Sequence, residues 1–154
     1  MASEMCIRDR YSSDSRSADA FLVDYPRFLV LFSAGDLGSS GNSVTPPGTA
    51  KNVLTVGAST TGAQGSTPEG SVPGFSSRGT TLDGRIKPDI VAPGVMICSA
   101  RAEEAQFASD ASCSSATHGD GSTPLYMALN GSSMATPVVA GAAAMVRQLS
   151  LIHI

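Results

Sequence analysis

The segment Gly131-Ser132-Ser133-Met134-Ala135-Thr136-Pro137 runs without a break into Val138-Val139-Ala140-Gly141-Ala142-Ala143-Ala144-Met145-Val146-Arg147-Gln148. A loop of small residues that feeds an apolar, Ala-rich stretch constrains the fold more than any other part of the chain. Pro137 fits a first helical turn, where a missing N–H has no partner to lose, and the residues after it suit a helix. A serine at the entry to such a helix meets the positive end of the helix dipole and backbone N–H groups that no helical carbonyl uses. Two readings stay open on these residues alone. One is a Ser N-cap on a buried helix. The other is a nucleophile whose oxyanion the free N–H groups would stabilise.

The two ends of the chain read differently from its middle. Met5-Cys6-Ile7-Arg8-Asp9-Arg10 back-translates to ATG TGT ATA AGA GAC AG plus one base, and Leu149-Ser150-Leu151-Ile152-His153-Ile154 to CTG TCT CTT ATA CAC ATC. Apart from unread end bases, the second string is the reverse complement of the first. Both match the transposase end sequence used as an adaptor in DNA library preparation. Residues 1–10 and 149–154 are therefore expected to be adaptor-encoded and are set aside from the fold. Residues 11–148 are the expected natural segment, a piece of a longer protein.

Composition excludes more than it identifies. Charged residues make up 15%, net charge is −3, and 16 Gly with 9 Pro describe a turn-rich chain. The weak acidic balance offers no footprint for nucleic acid or an anionic membrane. No run is expected to reach the ~18 apolar residues of a membrane span. With Cys6 set aside, Cys98 and Cys113 remain, either as a disulfide formed in an oxidising compartment or as two buried free thiols. Their spacing is not that of a metal site.

Hydrophobic patterning predicts alternating elements. Ser17–Val23 reads as a short helix capped by Ser17, with Ala18, Phe21 and Leu22 on one face and Tyr25-Pro26 as its break. Arg27–Phe32 is a continuous apolar run suited to a strand of a parallel sheet buried on both faces. It ends in the turn-forming segment Ser33–Gly38, where open α/β sheets place their ligand crevices. Further strands are expected at Asn52–Ala58, at Lys87–Gly94 and within Val95–Ala100, with a short extended piece in Pro73–Arg78. Residues 101–124 read as a polar loop, and Leu125–Leu129 leads into the serine segment. The expected class is α/β, without an intact doubly wound sheet.

Four ordered segments carry a resemblance to the subtilisin-like serine proteases. Asn130–Pro137 resembles the family's nucleophile motif, with Ser132 where Thr is usual. Leu29–Gly38 resembles the strand ending at the oxyanion-hole residue, and Pro46–Ala58 the segment that follows. Phe75–Gly79 with Gly84–Gly94 resembles the stretch before the nucleophile loop. The resemblance spans residues 16–148. It implies a partial subtilisin-like fold, mainly parallel sheet with flanking helices, incomplete on its N-terminal side and equivalent to the C-terminal half of a catalytic domain.

The same resemblance implies acyl transfer on polypeptide substrates. Ser133 would attack the peptide carbonyl, with a His as general base and an Asp orienting it. Neither partner is identified here. His153 falls in the adaptor-encoded end, and His118 lacks the family's context and reads as a loop histidine. The segment alone is expected to be inactive.

Asp36 stands where the family places an Asn whose amide donates to the oxyanion. Three readings are open: a protonated Asp that still donates, impaired or specialised catalysis, or a one-base sequencing error. Ser33, Ala34 and Gly35 would form a wall of the pocket for the residue preceding the cut, and Pro47 would follow a cis bond. No cofactor is expected for catalysis. Structural calcium is a family habit with no ligands assigned here, Asp110 and Asp120 reading as solvated loop residues. The parent protein is expected to be secreted. The competing reading is a non-catalytic subtilase-fold binding protein with a spoiled oxyanion site.

Overall fold

The computed structural model describes residues 11–62, 68–102, 113 and 125–153. Chain order begins with helix α1 (Ser13–Asp24), followed by strands β1 (Leu31–Ser33), β2 (Leu54–Ser59), β3 (Gly79–Thr80) and β4 (Ile86–Lys87). Strands β5 (Ile90–Pro93), β6 (Ile97–Ala100) and β7 (Tyr126–Leu129) then lead into helix α2 (Ser132–His153).

Helix α1 starts four residues before the predicted Ser17. Ser12 is the cap, its side chain accepting the Ser15 N–H, and Asp14 places a negative charge in the first turn. The buried face of α1 is Ser15, Asp19 and Leu22, a helical stripe in which two of three residues are polar. Apolar periodicity therefore under-reports the helix. Tyr25 closes it, because a residue before proline is disfavoured in the helical region.

The central sheet is parallel, in the order β1-β2-β5. Leu31 pairs with Leu54, Ser33 with Val56, and Val56 in turn with Ile90. Alternation along the strands divides two cores. On one face Val56, Ala92, Ala135 and Val139 pack together with Leu31 and Leu54, which seats α2 on the sheet. On the other face Leu22, Ala50 and Val53 pack with Ala18, Val30 and Phe32, which seats α1. This is the expected α/β layering.

Several expectations are corrected. The Arg27–Phe32 run is not a strand buried on both faces: only Leu31–Ser33 is strand, and Phe28 and Leu29 are 60% and 52% exposed. Among the described residues β1 pairs with β2 alone. Phe28 packs instead on Phe21 and Tyr25, with ring centroids 5.4 and 6.2 Å away. Pro73–Arg78 holds no strand. Lys87–Gly94 is divided between β4, which pairs antiparallel with β3, and β5 of the parallel sheet. Leu125–Leu129 is more than a lead-in, since β7 pairs antiparallel with β6. Pro47 follows a cis bond, as does Pro88. Cys98 and Cys113 form a disulfide, which settles the two readings left by the sequence.

Helix α2 is apolar on average, although no unbroken apolar run fills it. Ser132–Ile152 has a mean hydropathy of 1.3, long and apolar enough to cross a membrane by length and composition. Small residues supply that hydropathy without bulk, and the first half of the helix uses them to lie close on β1, β2 and β5, with Ala135 and Val139 buried.

Candidate active site

The end of β1 and the start of α2 meet at the serine segment. Beyond Ser33 the chain enters a turn held by backbone bonds: Ala34 N–H donates to Val56 O at 2.8 Å, and Thr45 N–H to Ala34 O at 3.0 Å. Gly35 has φ +100, and a Cβ there would lie 2.7 Å from Thr45 Oγ1. Both facts require glycine. Ser77 N–H donates to Gly35 O at 2.9 Å, and Leu37 N–H to Ser77 Oγ at 3.0 Å.

On the other side Gly131 N–H donates to Gly94 O at 2.8 Å, and Met134 N–H to Gly131 O at 3.0 Å. The residue before α2 is thus Gly131, so no serine caps this helix and the Ser N-cap reading is not realised. The cap comes from afar: Ser132 N–H donates to Asp36 Oδ1 at 2.8 Å. Gly35 N–H in turn donates to Ser132 Oγ at 3.1 Å. A side chain at residue 131 would crowd this junction, its Cβ falling 3.1 Å from Asp36 Oδ2 and 3.2 Å from Met134 Sδ.

Ser132 is fully buried and Ser133 is exposed. Ser133 is the second residue of α2, a position whose N–H has no intrahelical acceptor. It opens on a cleft of about 330 Å³ lined by Leu31, Phe32, Ser33, Ser133, Thr136 and Pro137. Pro137 is the sixth helical residue, not part of the first turn as expected, so it withholds an N–H from the Ser133 carbonyl. Thr136 Oγ1 donates to Ser132 O at 2.9 Å beside it.

The residues singled out from sequence therefore gather at one place with different exposures. Ser33 and Ser133 line the same cleft, and exposed Asp36 lies outside that lining, bound to the Ser132 N–H. Ala34 is fully buried and contributes backbone only, while the Gly35 N–H is already engaged by Ser132. His118, Asp110 and Asp120 lie outside the described residues. Among the described residues no group of three or more His, Cys, Asp or Glu side chains is gathered as a metal site would need.

Sequence reasoning missed the scaffold behind the wall. Buried Asp19 on α1 accepts Lys51 N–H at 2.9 Å, Asn52 N–H at 2.7 Å and the Tyr11 hydroxyl at 2.7 Å. Burial pushes its carboxyl up, but the two backbone N–H groups and the Tyr11 hydroxyl outweigh it and hold the pKa below the usual range. The same bond raises the Tyr11 phenol. Arg85 ties the loop from the other side, donating to Thr49 O at 2.8 Å and to Asp83 at 2.9 Å, and holds the Asp83 carboxyl down to about 2. Buried Lys87 donates to Val53 O at 2.9 Å and Asp89 at 2.7 Å. Asp19 sits more than 30 residues from the N–H groups it binds, and no local spacing announces such a pair.

Comparison with known proteins places this geometry. The model of the subtilase family matches residues 5–151. Serine protease AprX of Bacillus subtilis (strain 168) is 38% identical over 120 residues, covering 78% of this chain and 26% of that protein. The serine protease/ABC transporter B family protein tagB of Dictyostelium discoideum is 31% identical over 207 residues, covering 90% of this chain and 10% of that protein. The structure of the S41 psychrophilic protease superposes with a TM-score of 0.58 at 27% identity, covering 87% of this chain and 38% of that one. The chain thus spans about a quarter or less of the length of these two sequence relatives. The exposed serine at the head of α2, the parallel sheet beneath it and the match along almost the whole chain together make this chain a member of the subtilase family.

Proposed function

We propose that residues 11–148 are the nucleophile-bearing part of a serine endopeptidase catalytic domain. The observation that carries this reading is Ser133: exposed, at the second position of α2, on the rim of a cleft shared with Ser33. Its Oγ would attack a peptide carbonyl while its proton passes to a base. Its own N–H, free of helical bonding, would donate to the oxyanion. Collapse of the tetrahedral intermediate would break the C–N bond, the amine leaving with the proton held by the base, and water would then hydrolyse the acyl-enzyme.

Ser33 and the backbone of Ala34 and Gly35 would border the substrate residue preceding the cut. The general base and its orienting carboxylate would come from the rest of the catalytic domain, and the chain alone would be inactive. Residues 1–10 and 149–154 are read as adaptor-encoded, on the reverse-complement relation of the two ends. An oxidising, extracellular setting is supported by the Cys98–Cys113 disulfide.

The test is the parent gene. Expression of its uninterrupted reading frame should give an enzyme that hydrolyses a protein substrate and takes a fluorophosphonate on Ser133, with Ser133→Ala abolishing both. The chain of 154 residues should take no label. A parent without an upstream His and Asp, or one that binds peptides without cleaving them, would replace this reading by the non-catalytic binding protein.

A further inference from the structure

Asp36 occupies the position where an amide donor to the oxyanion is expected, and its contacts give it a different task. A helix begins with N–H groups that have no intrahelical acceptor, and Gly131 has no side chain to offer one. Asp36 Oδ1 meets the first of them, Ser132 N–H, at 2.8 Å across 96 residues of sequence. The adjoining Gly35 N–H donates to buried Ser132 Oγ at 3.1 Å. Two bonds running in opposite senses thus tie consecutive residues of the β1 exit to a single residue of α2. The helix start cannot slide along or tilt from the strand end without breaking both. A carboxylate suits the place, since the helix dipole favours negative charge there.

We infer that Asp36 is a positioning residue. It caps α2 from the end of β1 and so fixes the rotation of Ser133, the next residue along, together with the Ser133 N–H. The backbone N–H that binds Oδ1 can only donate, so Oδ1 can only accept, and an Asn carbonyl would serve equally. The carboxylate acts through the helix, not on the reacting carbonyl. The functional consequence rests on the reading of Ser133 as nucleophile, whereas the cap itself does not.

The experiment uses the ¹⁵N-labelled 154-residue chain and follows individual amides by NMR. In the unmodified chain the Ser132 amide proton should move downfield as Asp36 ionises, and Asp36→Asn should abolish that titration. In Asp36→Ala, hydrogen-exchange protection of the Ser132 amide should fall about tenfold, the size of a lost cap, and Asp36→Asn should keep it within about threefold. Protection of the Val56 and Ala58 amides in β2 should stay unchanged, which general destabilisation would not allow. A Ser132 amide that ignores Asp36 ionisation overturns the inference, even where Asp36→Ala fails to fold. Equal loss in Asp36→Ala and Asp36→Asn overturns it too. None of these readouts needs proteolysis, so a parent enzyme that fails to cleave peptides would sink the protease reading and leave the cap standing.

Discussion

Removing the Asp19 carboxylate should loosen the whole scaffold behind the serine cleft. Asp19 is 7% exposed and accepts three hydrogen bonds, from Lys51 N–H, Asn52 N–H and the Tyr11 hydroxyl. Hydrogen bonds to a charged group contribute about 1.5–3 kcal/mol each. Lys51, Asn52 and Tyr11 are exposed residues, so water replaces part of what Asp19→Ala removes. The net loss expected is roughly 3 kcal/mol, or about 6–12 °C in Tm for a domain of this size.

Asp19→Asn should do nearly as badly, because its amide NH2 must face one of three donors. The pH dependence follows from the lowered pKa. A depressed folded-state pKa contributes stability above the unfolded value of about 3.9, and that stability is lost as pH falls through the folded value. Urea unfolding of the parent chain and of Asp19→Ala at neutral pH and in acid provides the assay. The two curves should separate at pH 7 and converge in acid. A difference below about 0.5 kcal/mol at pH 7, or one that persists unchanged in acid, would refute the argument that Asp19 holds α1 to the Lys51–Asn52 loop through its charge.

Two further outcomes are expected of the same chain. Val56 is fully buried between Ala92, Ala135 and Val139. Val56→Ala should cost about 2–3 kcal/mol, the transfer term plus a cavity, and calorimetry would read it as a fall in Tm. Reduction of Cys98–Cys113, which closes a separation of 15 residues, should destabilise by roughly 3 kcal/mol. A urea midpoint indifferent to reductant would count against the bridge.

Legibility in the sequence followed the range of the interaction. The serine segment, its helix and β2 could be read because each is written in contiguous residues, whereas the cis bond before Pro47 was legible only through the family resemblance. The Arg27–Phe32 run differs from its reading in length: Leu31 and Phe32 do pack toward opposite faces, but the strand is only Leu31–Ser33, because Phe28 turns back onto the rings of Phe21 and Tyr25. Helix α1 was read short because its buried stripe contains Ser15 and Asp19, polar residues that periodicity treats as solvent-facing.

Gly131–Pro137 indicated by itself that a serine would be presented at the head of an apolar helix, since small residues permit the tight entry and the following Ala-rich run favours helix. It did not determine what holds that serine. Gly131 has no side chain, so the cap had to come from another element, and only the return of the chain at Asp36 supplies it. The same holds for Asp19 with Lys51 and Asn52. Those bonds depend on residues brought together by the packing of two helices on opposite faces of one sheet. No local pattern encodes them, because their geometry exists only once the sheet has formed.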